Sequence, residues 1–174
     1  MAHLFIRQDI RSIGSGNSGA TNVARTAGKL AGILTLLGDL LKGALPTLYI
    51  IHHAPLPWAQ FIPLLAILGH CYSPFLGFKG GKGVATTLGV LLVLEPLFFG
   101  VMLGLFISIV FLTQLVSVAS ILSILLTFIT SLMIHSSVNT SLLLGLLALF
   151  ILIRHHENLS RLLKGVEAPF KAKT

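Results

Sequence analysis

Charged side chains are scarce in this chain: Asp, Glu, Lys and Arg make up 10% of its 174 residues, against about 25% in an ordinary soluble domain. With 55% apolar residues and a mean hydropathy of +0.95, that scarcity excludes a soluble globular domain. It excludes disorder too, because a disordered chain is poor in apolar residues and rich in charge. The single cysteine, Cys71, forms no internal disulfide, so nothing demands an oxidising compartment. Cys and His clusters with zinc spacing are absent, as are a His-x-x-x-x-Asp dyad and a convincing Ser-His-acid set. The sequence advertises no general base, no metal and no cofactor. Acidic residues are the scarcest charge, five against twelve Lys and Arg, which leaves a formal +7. Apart from Lys42, the basic residues fall into three clusters, Arg7 to Lys29, Lys79 with Lys82, and Arg154 to Lys173. A patterned excess of this kind implies anionic partners.

Between Gly83 and Ile153 the one formally charged residue is Glu95, so the middle of the chain belongs in lipid. A bilayer core of roughly 30 Å takes about 20 helical residues. Six apolar segments are read: Leu30 to Ile51, Pro57 to Phe75, Val84 to Leu94, Pro96 to Leu112, Leu115 to Ile134 and Leu142 to Ile153. A Pro-flanked turn at His52 to Pro57, Pro74 with the glycines of Phe78 to Gly83, and Glu95 with Pro96 separate the first four. Thr113 and Gln114 are the one dip before the fifth. The third segment is too short to span unaided. Arg7, Asp9 and Arg11 interrupt any early apolar run, so no secretory signal peptide is read. The expectation is an all-α, polytopic membrane helix bundle forming a single domain, with a Gly-rich loop at 1–29, the bundle at 30–153 and a basic juxtamembrane helix and tail at 154–174.

Parity orients this bundle. An even number of crossings returns the chain to its starting side, which places the segment before Leu30, the Phe78 to Gly83 loop, Thr113 with Gln114, and the tail from Arg154 on one face. The other face receives His52, His53, Glu95 and His135 to Thr140, a stretch without Lys or Arg. The positive-inside rule makes the basic face cytoplasmic.

Four polar stretches interrupt the apolar pattern. The first runs from Gly14 to Arg25. Gly14, Gly16 and Gly19 match a dinucleotide fingerprint as a string, but a membrane helix follows where a βαβ unit is required. What remains is a choice between an oxyanion cradle and a flexible interfacial loop. Glycines let backbone N–H groups approach an anion, the side chains of Ser15, Asn17, Thr21 and Asn22 add donors, and Arg25 adds a fixed positive fork. The second is Phe78-Lys79-Gly80-Gly81-Lys82-Gly83. It is not a Walker A loop, since Leu76 stands where the first glycine is required. Two lysines in a glycine turn at a helix start still form an anion site, unless they merely snorkel.

Ser117 and Ser120 stand on nearly one face of the fifth helix, a spacing that serves helix packing as readily as a site. The last stretch, Arg154 to Gly165, reads as the final helix continuing out of the bilayer with His155, Asn158 and Arg161 along one side. A lipid-surface anchor explains such a basic helix equally well. Asp39 and Lys42, one turn apart within the first segment, are expected to pair, or else to position the Arg25 or Lys82 loops. His70 is read as a satisfied interfacial histidine.

Three strings then converge. Gly-Ser-Gly-Asn-Ser-Gly-Ala-Thr-Asn at 14 to 22 with Arg25, Gly-His-x-x-Ser-Pro-Phe-Leu-Gly-Phe-Lys-Gly-Gly-Lys-Gly-Val-Ala-Thr at 69 to 86, and His-x-Glu-Asn-Leu-x-Arg-Leu-Leu-x-Gly-x-Glu at 155 to 167 resemble the motifs of the bacterial acyl-phosphate:glycerol-3-phosphate acyltransferase family, the PlsY type. The resemblance covers nearly the whole chain. It implies an integral enzyme of the bacterial cytoplasmic membrane, its motifs on the cytoplasmic side. Such an enzyme moves a fatty acyl group from acyl phosphate to the 1-hydroxyl of glycerol 3-phosphate, yielding lysophosphatidate and phosphate. By the same resemblance Arg25 and Lys82 hold phosphate, Ser15, Ser120 and Asn158 orient glycerol 3-phosphate, and His155 and Lys79 lie in or beside the site. Gly14, Gly16, Asn17, Thr21, Asn22, Gly80, Gly81, Ser117 and Arg161 are carried as binding residues.

The implied partners are the two substrates, membrane lipid and an acyl-phosphate-forming enzyme; no nucleic acid and no cofactor are expected. Family members open with a further transmembrane helix, giving seven crossings, whereas this sequence starts at about the loop after it. They usually carry Arg and Tyr where Gln114 and Leu115 stand here. Two readings from other classes remain, a small transporter and a non-catalytic membrane scaffold. A transporter predicts paired broken helices in two related halves, and the sequence contains no such symmetry.

Overall fold

The computed structural model describes residues 10–53 and 59–170. The end of the expected turn at His52 to Pro57, the start of the second apolar segment, and Arg7, Lys171 and Lys173 lie outside the described residues. The chain forms two compact units, one up to Val93 and the other from Leu94.

The first unit opens with a short 3-10 turn, Ile10–Ser12, followed by α1 (Ala20–Ala27) and α2 (Lys29–His53). Ile10, Val23 and Ala31 form one buried cluster where these elements meet. A Cβ on Gly32 would lie 2.8 Å from the Ala24 Cα, so α1 rests against the first turns of α2 with no room for a side chain. The buried stripe of α2 is Ala31, Gly32, Thr35, Asp39, Gly43, Ala44 and Thr47, while Leu36, Leu37, Leu41, Leu45 and Leu48 are exposed. Small residues inward and leucines outward is the pattern of a helix solvated by lipid, where association depends on close backbone approach.

After α2 the chain continues through a 3-10 turn at Ala59–Phe61, α3 (Pro63–Cys71), a second such turn at Pro74–Leu76, and α4 (Val84–Leu94). The second apolar segment is therefore not one continuous helix: Pro74 lacks the N–H a helix needs and ends it. At Gly43 a Cβ would run into the Thr86 carbonyl, and at Gly89 into the Leu40 carbonyl, so the backbones of α2 and α4 touch. Glycine is obligatory at these two positions for that reason.

The second unit holds α5 (Pro96–Thr113), α6 (Val116–Met133), α7 (Val138–Arg154) and α8 (His156–Leu163). Pro96 occupies the first turn of α5, where its missing N–H costs nothing. Gln114 adopts a left-handed φ of 58° and stops α5, its side-chain amide donating to the Val110 and Phe111 carbonyls. Along α6 the hydroxyls turn back onto their own helix: Ser120 donates to the Val116 carbonyl at 2.8 Å, Thr127 to Ser123 at 2.7 Å, and Thr130 to Leu126 at 2.9 Å. Ser137 caps α7 by accepting the Thr140 N–H at 3.1 Å, and the Thr140 hydroxyl donates to Glu95. The single acidic residue in the apolar stretch thus has a hydroxyl partner.

Among the described residues, four stretches are long and apolar enough to cross a membrane: Lys29–His53, Ala59–Leu76, Pro96–Thr113 and Val116–Met133. Val138–Arg154 and His156–Leu163 are apolar enough only when taken together, and they are bent by 60° at the break at His155. The six expected segments are thus present as helical stretches, but α4, at 11 residues, is too short to count alone. The bend corrects one expectation: the last helix does not continue straight through His155. Its ladder breaks at His155 (φ −102°, ψ 12°), and α8 begins in a new direction.

Candidate active site

In the first unit the Gly14 to Arg25 stretch is a loop leading into α1, and Asn22 organises it. The Asn22 side chain, 2% exposed, accepts the Ser15 N–H at 2.9 Å and donates to the Ile13 carbonyl at 3.0 Å and the Ile10 carbonyl at 3.3 Å. Asn17 accepts the Gly19 N–H at 2.8 Å. The amides of Asn17 and Asn22 therefore shape the loop. Gly14 and Gly16 have φ of 63° and 69°, values that L side chains rarely adopt, and Gly14 also packs against the Asn22 amide. The result exposes Ser15 at the loop's crest, with Thr21 half-buried on the first turn of α1 and Arg25 exposed on its last.

The second polar loop belongs to the same unit. After α3 the chain runs out through Pro74 and the exposed Phe75, then returns, and the Gly80 N–H donates to the Cys71 carbonyl at 3.0 Å. The approach is close enough that a Cβ on Gly80 would overlap the His70 carbonyl and lie 2.8 Å from the Cys71 carbonyl oxygen. Gly80 and Gly81 are buried, Lys82 is half-buried and Lys79 exposed. Glycine here is a matter of space, and it fixes the Cα from which the Lys82 ammonium extends.

His70 and Asp39 join this group. The His70 Nδ1 lies 3.4 Å from the Asp39 Oδ1, and Lys42 Nζ reaches the same oxygen at 2.9 Å. The expected Asp39–Lys42 pairing is present, with His70 as an additional partner. Reading His70 as a satisfied interfacial histidine agrees with this contact but did not name the partner, because Asp39 is 31 residues away in the chain and nothing local links them.

In the second unit the bend between α7 and α8 collects the third motif. His155, 2% exposed, has its Nδ1 2.8 Å from the Ile151 carbonyl. Asn158 donates from Nδ2 to Glu167 Oε1, and Arg161 donates from Nε to Glu167 Oε2 at 2.7 Å. One carboxylate thereby aligns Asn158 and Arg161 side by side. Burial opposes ionisation of Glu167, but Arg161, Asn158 and the neighbouring Ser117 outweigh it and hold the carboxyl below its ordinary value. Ser117 and Ser120 are both buried on α6. The Phe170 N–H donates to the Gln114 carbonyl at 2.6 Å, fastening the segment after α8 to the α5–α6 turn. Glu167 is the residue that the motif-by-motif reading passed over, although it closes the third string.

Each unit thus gathers its own share. The first brings Gly14, Ser15, Gly16, Asn17, Thr21, Asn22 and Arg25 together around α1, and Lys79, Gly80, Gly81 and Lys82 beyond the end of α3. The second brings Ser117, Asn158 and Arg161 to Glu167, with His155 buried at the bend and facing the Ile151 carbonyl. Ser120 stands one turn from Ser117, with its donor on the Val116 carbonyl. No group of three or more potential metal ligands occurs among the described residues.

The model of a family described as glycerol-3-phosphate acyltransferase matches residues 1–165. A glycerol-3-phosphate acyltransferase of Geobacter sulfurreducens is 47% identical over 94% of this chain and 85% of its own. One from Macrococcus caseolyticus is 41% identical over 98% of this chain and 87% of its own. A crystal structure of PlsY, an integral membrane glycerol 3-phosphate acyltransferase in its glycerol 3-phosphate form, is similar with a TM-score of 0.89 at 36% identity, covering 98% of this chain and 88% of that one. A lysophosphatidic acid form of PlsY is similar at a TM-score of 0.82 and 39% identity, over 90% of this chain and 81% of that one.

Proposed function

The chain belongs to the glycerol-3-phosphate acyltransferase family, and from that premise we propose that it transfers a fatty acyl group from acyl phosphate to the 1-hydroxyl of glycerol 3-phosphate. It is an integral, multi-pass membrane protein. Its working face is cytoplasmic, in the inner membrane of a bacterium, where the basic loops face anionic substrate and an acyl-phosphate-forming enzyme supplies the donor.

The observation that carries this reading is the pairing of glycine-shaped backbone with cations in the two loops of the first unit. The exposed Ser15 with Arg25, and Lys82 at the end of the Gly80–Lys82 turn, bring a hydroxyl and positive charge to a phosphate dianion, a charge-assisted contact of about twice the strength of a neutral one. Arg25 and Lys82 hold phosphate, and Ser15, Ser120 and Asn158 orient glycerol 3-phosphate. Lys79, Ser117, His155 and Arg161 border the bound molecules.

The chemistry asks little of a protein base. Acyl phosphate is an activated anhydride, so attack of the 1-hydroxyl oxygen on the acyl carbonyl carbon breaks the carbon–oxygen bond to phosphate, and the departing phosphate takes the hydroxyl proton. Products are lysophosphatidate and inorganic phosphate. The hydroxyl of Ser120 already donates to the Val116 carbonyl, which leaves its oxygen as an acceptor suited to orienting a substrate hydroxyl. Positioning and charge stabilisation supply most of the acceleration.

Purified protein incubated with palmitoyl phosphate and labelled glycerol 3-phosphate is expected to form lysophosphatidate, whereas palmitoyl-CoA is not used. Lysophosphatidate formed from palmitoyl-CoA but not from palmitoyl phosphate overturns the donor assignment. No product from either donor overturns the enzymatic reading.

A further inference from the structure

We propose that Asp39 and His70 are positioning residues that set the Gly80–Lys82 turn for phosphate, a role that rests on the function proposed above. The imidazole of His70 has its two nitrogens on opposite edges, and each edge is engaged. Nδ1 faces Asp39 Oδ1 at 3.4 Å. The Nε2 edge faces Gly81, so closely that a Cβ there would overlap Nε2 and lie 2.7 Å from Cε1. The carbonyl of the same histidine forms the floor under Gly80, while the next carbonyl, that of Cys71, accepts the Gly80 N–H. One residue therefore touches both glycines preceding Lys82, one through its backbone and the other through its ring.

Asp39 fixes the ring that does this. Its carboxylate is held by Lys42 at 2.9 Å, and the side chains of His70 and Asp39 are 8% and 7% exposed. A carboxylate opposite Nδ1 keeps the proton on that nitrogen and orients the imidazole, the way an outer partner orients a ligating histidine. The chain of contact runs from α2 through the ring to the turn, all within the first unit. Lys42 alone would give Asp39 an ion-pair partner. The added histidine gives the buried carboxylate a consequence at the far edge of the ring, where the lysine-bearing backbone lies. A displacement of about 1 Å at such a site costs on the order of 100-fold in rate.

The test separates positioning from mere support of the fold. Binding of glycerol 3-phosphate is measured by calorimetry, and KM for glycerol 3-phosphate, KM for palmitoyl phosphate, kcat and the thermal midpoint are measured on wild type, His70→Ala, Asp39→Asn, the double variant, and each in a Lys82→Ala background. His70→Ala is expected to weaken glycerol 3-phosphate binding about tenfold and raise its KM in parallel, with KM for palmitoyl phosphate within about twofold. Asp39→Asn weakens binding less, adds nothing to His70→Ala, and neither substitution matters once Lys82 is gone. Gly81→Ala is damaging, and His70→Ala partly restores it by removing the ring its Cβ would strike. Unchanged binding in both single variants overturns the proposal, as do additive effects, or a fall in thermal midpoint with both KM values rising equally. Should the single variants fail to fold, the Gly81→Ala suppression decides: absence of restoration overturns it. A wild type that binds glycerol 3-phosphate but makes no product overturns the acyl donor and leaves the binding comparison in force. A wild type that binds none overturns the functional reading, and the role of the pair with it.

Discussion

Arg161 and Glu167 are joined by a 2.7 Å hydrogen bond from Nε to Oε2, and Asn158 holds the other oxygen of the same carboxylate. The pair turns the segment after α8 back onto the helix. Replacement of Glu167 by Gln is expected to lower the thermal midpoint by several degrees, from a loss of about 1 kcal/mol once the partial exposure of Arg161 is discounted. The Glu167 carboxyl titrates below its ordinary 4.5, so its contribution is complete above that value and fades as pH falls through the lower, folded value. The difference in midpoint between wild type and Glu167→Gln should be full at about pH 6 and shrink in more acidic buffer. A difference that grows on acidification refutes this.

Asn22→Ala strips the partner from three backbone groups at once. A loss of about 2–3 kcal/mol is expected, concentrated in the Gly14 to Arg25 loop. Asn22→Asp keeps the acceptor for Ser15 but loses both donors, so it should fall between. Hydrogen exchange of residues 10–25 measures the order of the three proteins.

Arg25→Ala and Lys82→Ala should each lower kcat/KM for glycerol 3-phosphate by about 10- to 100-fold, the worth of one charge-assisted phosphate contact. Lys82→Arg is expected to recover part of the loss and Lys82→Gln none. Full activity in Arg25→Ala and Lys82→Ala removes the phosphate assignment.

Glycines divide into two classes. Gly80→Ala drives a Cβ into the His70 carbonyl, and Gly43→Ala into that of Thr86, whereas Gly100 and Gly104 on α5 have nothing within 4 Å. The first two substitutions should abolish activity or folding. The latter two should leave kcat unchanged and raise stability by about 0.5–1 kcal/mol each, read as thermal midpoint and turnover in detergent.

The shared-face reading predicts that single cysteines introduced as Lys79→Cys and Lys164→Cys, in a Cys71→Ser background, react with an impermeant thiol reagent from the same side of the membrane. Labelling from opposite sides refutes the shared face.

Much of the helical pattern was legible because its boundaries are chemical. Val84 to Leu94 was read with the bounds that α4 has, and Pro96 begins α5 as its missing N–H requires. The 60° bend at His155 was not legible, since no proline or glycine stands between Gly145 and Gly165 to mark it; it is accompanied by the hold of Glu167 on Asn158 and Arg161. For the candidate site, the motif strings supplied the residues but not the division of labour. That Asn22 is a loop organiser, and that Asp39 reaches the glycine turn through His70, depends on contacts between residues distant in the chain.

The hydroxyls of α6 bear on the rival view of the molecule as a conduit. Because Thr127 and Thr130 return their protons to carbonyls of the same helix, a string of polar letters there presents no hydroxyl donor to a proton relay. To a neighbouring lipid tail or leucine such a threonine adds little polarity, and the helix stays oily there although its spelling looks hydrophilic.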